Sequence, residues 1–401
     1  MTEQNALTIL HTSDWHLGQK FMGKSREEEH KAFLSWLRKT IIQEGVTVLI
    51  VAGDIFDTGT PPNYALDLYY SFLGSLQGTS CKTVVIVAGN HDSIATMNAP
   101  KEVLKAINVH VIASGDEEDR IIEIRHGDTL EGIVCAVPFL RDSIVRKSVP
   151  GESYLERERA LSEGIETYYR AVYDKAQQIR GSQPVPIIAT GHLTTVGGKT
   201  SDSERELYIG NTMNIPGTFF AELFDYVALG HLHKHQTVGG NDNVRYSGSP
   251  IPLSFSEADD TKKVCIISFD EDIPLIDEID IPCFRELYRV RGNSEEIIRE
   301  LESIENEECW IEAEIDDDNT YEALRRIQDY ADEKHLTILV KKIKKSDANI
   351  GAEEVEAVNL EEVSPLEIFM RRMEMENIED ETLKKHLVET FKTMEEKAAT
   401  A

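Results

Sequence analysis

Apolar runs that end abruptly in polar clusters recur along the first 270 or so residues, and they constrain the fold more than any other feature. Leu7–Leu10 lead to SDWH, Val46–Ala52 to GDIFD, Val84–Ala88 to GNHD, Ile187–Ala189 to TGH, and Tyr226–Leu229 to GHLH. The runs are rich in β-branched residues and apolar throughout rather than alternating, which suits strands buried on both faces. Helical stretches lie between them. Ser25-Arg26-Glu27-Glu28 has the form of a capping box, and the apolar spacing that follows predicts a helix stopped by Gly45. Asn63–Leu76 and Tyr154–Ile179 are predicted helices as well. Strands alternating with helices imply a layered α/β domain whose polar loops gather at strand ends.

The clusters at those strand ends contain Asp14, His16, Asp54, Asn90, His91, His192, His231 and His233. Carboxylate, amide oxygen and imidazole without thiolate suit manganese, iron or zinc in a catalytic setting better than a sulfur-rich structural zinc site. If Asp14-Trp15-His16 is extended, its first and third side chains point the same way and can share an ion, and His231-Leu232-His233 has the same spacing. Two such pairs and a shared carboxylate would hold two ions about 3.5–4 Å apart, an arrangement suited to phosphoryl chemistry. Each motif is weak alone, because D-x-H, H-x-H and a Gly-Asp turn are common. Their ordered recurrence after apolar runs is strong.

In that order, DWHLG, GDIFD, GNHD, GH and GHLH resemble the calcineurin-like metallophosphoesterase family. HTSDWHLGQ, GDIFDTGTPP, GHLTTVGG and YSGSPIPLSFSE are similar to a DNA-nuclease branch of it. The resemblance implies a layered β-sandwich flanked by helices, with a small α+β capping domain and C-terminal helices. It implies Asp14, His16, Asp54 and His233 around one metal and Asp54, Asn90, His192 and His231 around the other, both expected to be Mn2+. It leaves His91 unligated, to stabilise the transition-state phosphate or protonate the leaving oxygen. Asp92 would orient His91 or cap a turn. Where archaeal and eukaryotic relatives carry a second catalytic histidine, this chain has Asp57, so that role does not transfer. The implied activities are 3′–5′ exonuclease action on duplex DNA and endonuclease action on single strands and hairpins. The implied partners are DNA, an SbcC-type ATPase and a second copy of the chain, paired through helices of the N-terminal half. The rival reading is a phosphomonoesterase, or another small-substrate phosphoesterase, on the same scaffold.

The remaining features bound the organisation. We expect a nuclease domain over 1–280, a βαβαβ capping domain over 281–345, an acidic linker over 346–363 and helices over 364–401. In the last segment Leu366, Phe369, Met370 and Met373, then Leu383, Leu387, Phe391 and Met394, mark apolar faces at helical spacing. By the resemblance this segment docks on the ATPase. A formal net charge of −30 excludes a uniformly basic nucleic-acid binder, so DNA contact would be local. Lys20, Lys199, Arg205 and Lys234 are the candidate contacts. Lys24, Arg26, Arg141, Arg146 and Lys147 are further cations expected around the site. Lys341–Lys345 reads equally as DNA contact or as a charged edge strand. His11 and His235 are candidate supports for the ligands, whereas His30, His110, His126, His335 and His386 read as ordinary core or surface residues. The 5 cysteines are scattered singly, and neither a leader nor a membrane span is apparent, so a reduced cytoplasmic setting is expected.

Overall fold

In the computed structural model the described residues are 7–115, 120–147, 151–201, 203–204, 215–270, 273–317 and 319–343. They belong to one compact unit spanning Met1–Lys344. The candidate DNA contact Arg205, the linker and the C-terminal helices lie outside the described residues, as do His386 and the end of the Lys341–Lys345 run.

Among the described residues, two six-stranded sheets face each other. The first contains β1 (Ile9–Thr12), β2 (Val48–Ala52), β3 (Thr83–Val87) and β4 (Val109–Ile112), all parallel. The second contains β5 (Ile121–His126), β6 (Thr129–Cys135), β7 (Ile187–His192), β8 (Tyr226–Gly230), β9 (Gln236–Val238) and β10 (Asn241–Tyr246). Its central strands β6, β7, β8 and β10 are parallel, with β5 and β9 antiparallel at the edges. Strand β11 (Lys263–Asp270) returns to the first sheet antiparallel to β1, and β12 (Ile273–Asp280) pairs antiparallel with β11 at the sheet edge.

The unbroken apolar runs follow from burial of both faces. Along β2, Val48 and Ile50 enter the core between the sheets, while Leu49 and Val51 pack outward. That outer layer includes α1 (Glu27–Gln43) and α2 (Asn63–Ser75). Behind the second sheet lies α3 (Tyr154–Arg180), which contributes Ile165, Tyr169, Val172 and Ala176 to a separate core. The result is a helix–sheet–sheet–helix sandwich, as the resemblance implied.

The start of α1 departs from expectation. Ser25 is not its N-cap and forms no capping box, although its Oγ accepts from the first helical amide, that of Glu27, at 3.3 Å; the N-cap is Arg26 and carries no side-chain cap bond. Arg26 is instead fully buried, with its guanidinium on Glu29 and the Pro252 carbonyl and over the rings of Phe21 and Trp310. Burying this charge with its partners displaces the local cap and removes Arg26 from the cations open to a substrate. Full capping boxes occur at Ser153/Glu156 before α3 and at Asn293/Glu296.

The three-stranded sheet of β13 (Leu287–Gly292), β14 (Trp310–Ile315) and β15 (Thr337–Ile343) is parallel, with α4 (Ser294–Glu302) and α5 (Thr320–Glu333) as its crossovers. This is the expected βαβαβ order. Trp310 stacks on Phe21 at 5.4 Å, and Arg285 reaches Glu29 at 3.1 Å while lying over Trp310, so an aromatic and ionic joint fastens this unit beside α1. β15 is an edge strand whose Lys342 pairs with Glu312 at 2.8 Å.

Candidate metal centre

The polar clusters converge because the parallel strands of both sheets end on one side of the sandwich. Register brings Ala52 beside Val87, so Asp54 and Gly89 meet, and Gly230 beside His192, so His192 and His231 meet. Glycines permit the crossing between sheets. A Cβ on Gly230 would fall 1.9 Å from the Ala52 carbonyl oxygen, and one on Gly89 would fall 2.1 Å from Asp54 Oδ1.

The backbone is strained where the candidate ligands sit. Asp14, His16, Asp54 and His231 have φ of 53°, 45°, 49° and 100°, in or beside the left-handed region that L-residues avoid at about 1–2 kcal/mol each. Asp14-Trp15-His16 is therefore not extended, as its spacing had suggested. The left-handed turns let Trp15 enter the core between Phe33 and Phe72 while both polar side chains face the site. Cross-loop bonds offset the strain: the amides of Asp14 and His16 donate to the carbonyls of Gly53 and Asp54, each at 3.0 Å. The amide of His231 donates to the Asp14 carboxylate at 2.9 and 3.1 Å.

Among the described residues three groups of donor atoms form, each with its members within 4.8 Å of one another: Asp14, His16 and His233; Asp14, Asp54 and His192; and His16, Asp57 and His91. The five residues of the first two groups are buried, whereas Asp57 and His91 are half-buried. His192 Nε2 stands 3.3 Å from Asp54 and 2.9 Å from the Asn90 amide oxygen, and its Nδ1 faces the Ala52 carbonyl at 3.0 Å. The His231 ring lies 5.5 Å from that of His192, centroid to centroid. His16 lies 5.1 Å from His233 and 4.8 Å from His91 on the same measure.

The field of the cluster is unusual. Burial opposes ionisation of Asp54, yet His192 and His16 beside it hold its carboxyl well below the usual range. Burial likewise works against a charge on His192, but Asp54 outweighs it and raises the imidazole to about 9. Burial pushes the His231 ring well down, with His192 adding repulsion, and pushes the Asp14 carboxyl up. Among the described residues, neither buried ring nitrogen of His16 has a well-aligned hydrogen-bond partner. Such nitrogens beside two buried carboxylates, in a set of oxygen and nitrogen donors only, fit divalent cations of the hard-to-borderline class.

Several expectations change in detail. Both oxygens of Asp92 are engaged by the amides of Gly89, Ile55 and Phe56 at 2.9–3.1 Å, so it clamps two turns together rather than orienting His91. His91 is held instead by its amide on Asp54 Oδ1 at 2.9 Å and by its Nδ1 against the Asp57 carbonyl at 2.7 Å. The Asp57 carboxylate faces His16 Nδ1 at 3.3 Å, an ion-pair approach without hydrogen-bond alignment. His11 sits between the sheets on the Tyr226 hydroxyl and the Leu229 carbonyl, and His235 pairs with Glu278, so neither is bonded to a ligand side chain. Lys20 is exposed on a short hairpin, and the backbone of Lys199 is fixed by both ends of the Gln236 amide. Lys234 is paired with Asp260 at 2.6 Å and Arg146 with Asp142 and Glu152, which tempers both as free cations.

Sequence reading missed the residues around His233. Glu257 is fully buried and bonded to Lys262, Ser201 and Ser203, while Ser203 and Glu204 bond His233 itself. The available signal was a carboxylate, Glu257, in the otherwise uncharged stretch IPLSFSE.

Residues 7–235 match the family model described as calcineurin-like phosphoesterase. Residues 283–377 match one described as type 5 capsule protein repressor C-terminal domain. The chain is 39% identical over 393 residues to the SbcD subunit of the SbcCD nuclease from Escherichia coli K12, covering 96% of this chain and 97% of the relative. Relatives of the same name from Rhodobacter capsulatus and Bacillus subtilis are 36% and 32% identical, covering 68% and 65% of this chain and 66% of each relative.

Proposed function

The chain belongs to the calcineurin-like phosphoesterase family, and from that premise we propose a Mn2+-dependent DNA nuclease subunit that works with an SbcC-type ATPase in DNA end processing and repair. The enzyme is a metal-dependent phosphodiesterase of the nuclease group to which its relatives belong. The finer assignments are 3′–5′ exonuclease action on duplexes, endonuclease action on single strands and hairpins, a homodimer and a cytoplasmic setting. No described helix is long and apolar enough to cross a membrane.

The observation that carries this reading is the meeting of buried donor atoms from Asp14, His16, Asp54, His192 and His233, with the His16 nitrogens lacking aligned partners among the described residues. Asp14, His16, Asp54 and His233 would hold one ion, and Asp54, Asn90, His192 and His231 the other. When bound, two such ions lower the pKa of water and stabilise charge on attacking and leaving oxygens. The residues' own part is positioning. Asp54 fixes the amide of His91 while facing His192, and the Asp57 carbonyl accepts from His91 Nδ1. With Nδ1 so engaged, Nε2 of this half-buried ring is the nitrogen that would stabilise the phosphate or deliver a proton to the leaving oxygen. Lys20, Lys199 and Lys234 are exposed candidate backbone contacts, and of these Lys234 would have to exchange Asp260 for phosphate. The domain boundaries at 280, 345 and 363, and docking of the C-terminal helices on the ATPase, belong to the same proposal.

The test compares Mn2+-dependent release of nucleotides from labelled duplex DNA with turnover of a phosphomonoester. Preference for DNA is expected, and preference for the monoester would overturn the substrate assignment in favour of a phosphatase. His91→Gln should lose about 10²- to 10⁴-fold in cleavage with Mn2+ binding retained. Undiminished cleavage would remove His91 from the chemistry.

A further inference from the structure

A serine and a buried glutamate stand behind His233 in an arrangement that its role as a ligand does not by itself require. Ser203 Oγ lies 2.5 Å from His233 Nδ1 and bonds Glu257 Oε1. Glu257 has no exposed surface, and its other oxygen receives Lys262 Nζ at 2.6 Å and the Leu253 amide at 3.1 Å. Lys262 also donates to the His233 carbonyl at 3.1 Å. The neighbouring Glu204 accepts from the backbone amides of His233 at 2.8 Å and of Ser201, and the Ser201 hydroxyl lies within 3.0 Å of both the Glu204 and Glu257 carboxylates. His233 is thus gripped at its ring, its amide and its carbonyl.

We propose that Ser203, backed by Glu257, is a positioning residue that sets the tautomer of His233 and so completes the first metal position. The proposal rests on the two-metal reading above. Its physical basis is proton direction. Glu257, paired with Lys262, is a carboxylate and can only accept, so the Ser203 hydroxyl proton points to it. The Ser203 oxygen then offers its lone pairs to His233, which must carry its hydrogen on Nδ1. The lone pair of Nε2 is left for the cation, as when a ligand histidine donates its other nitrogen to an outer partner. Ser203 bonds His233 and not His192, whose ring is held by Ala52 and Asn90. Its influence therefore falls on one metal position more than on the other.

The experiment is calorimetric titration of the full-length chain with Mn2+ alone, comparing wild type, Ser203→Ala and Ser203→Thr, with thermal melting of the metal-free proteins alongside. Wild type should bind two ions. Ser203→Ala should bind one ion as before and the other about 10- to 100-fold more weakly, as is typical when an outer partner of a ligand is lost. Ser203→Thr, which keeps the hydroxyl, should restore the weakened step. Ser203→Ala binding both ions like wild type would overturn the inference, as would equal weakening of both ions or a threonine variant no better than alanine. A metal-free Ser203→Ala chain already unfolded at the assay temperature would overturn it too, because the hydroxyl would then be holding the fold. Wild type binding no Mn2+ would instead sink the two-metal reading itself.

Discussion

Gly89→Ala isolates the geometric condition on which the centre depends. Gly89 is not among the positive-φ residues, so alanine is not forced into the left-handed region there. Its methyl group would lie 2.1 Å from Asp54 Oδ1 and 2.4 Å from the Asp54 amide nitrogen. Side-chain carbons keep at least about 3 Å from such atoms, so Asp54 must retreat by about 1 Å. Asp54 also holds the His91 amide and faces His192, so the shift spreads to His91 and to both metal positions. A misplacement of that size can cost about 10²-fold in rate, roughly 2.7 kcal/mol of transition-state stabilisation. The assay is Mn2+-dependent cleavage of labelled duplex DNA at saturating metal, with Mn2+ titration in parallel. Gly74→Ala serves as the control: it lies in α2 with open space at its Cβ and should leave cleavage unchanged while slightly raising stability. Cleavage by Gly89→Ala within a few-fold of wild type would refute the claim that contact between Gly89 and Asp54 sets the centre.

Two further outcomes follow from the packing and the buried imidazoles. Trp310→Ala removes a ring that is 6% exposed, stacks on Phe21 and lies beneath Arg26 and Arg285, and should cost about 3–5 kcal/mol in chemical denaturation. A loss under about 1 kcal/mol would show that the joint beside α1 is not packed as described. His11 and His30 are buried, and burial lowers each to about 3 from an ordinary 6.5. Protons then bind the unfolded chain first, so the stability these groups confer is complete above pH 6.5 and is lost as pH falls from 6.5 towards 3. At about pH 5 the loss is about 2 kcal/mol for each. Replacing either with phenylalanine should flatten the acid side of a stability–pH curve, and an unchanged slope would refute the assignment.

The sequence alone carried the five strands that end in polar clusters, the long helices between them and the identity of those polar residues, because burial on both faces writes an unbroken apolar run and a polar loop interrupts it; β4, β5, β6 and β9 to β12 lack such an ending and were not legible. It placed α2 and α3 almost to the residue, since their apolar spacing is local information. It erred in reading a capping box at Ser25, because the N-cap position is taken by Arg26, whose burial depends on Pro252 and Trp310 far along the chain, while Ser25 keeps only the Glu27 amide. It brought Asp14 and His16 together for the wrong reason, because left-handed turns are stabilised by partners on another loop rather than by their own residues. The service of Asp92 to turns instead of His91, and the grip of Ser203 and Glu257 on His233, were decided by tertiary structure alone. Hydrogen bonds between residues tens of positions apart leave no period or spacing in a single chain, whereas the pattern of what must be buried does.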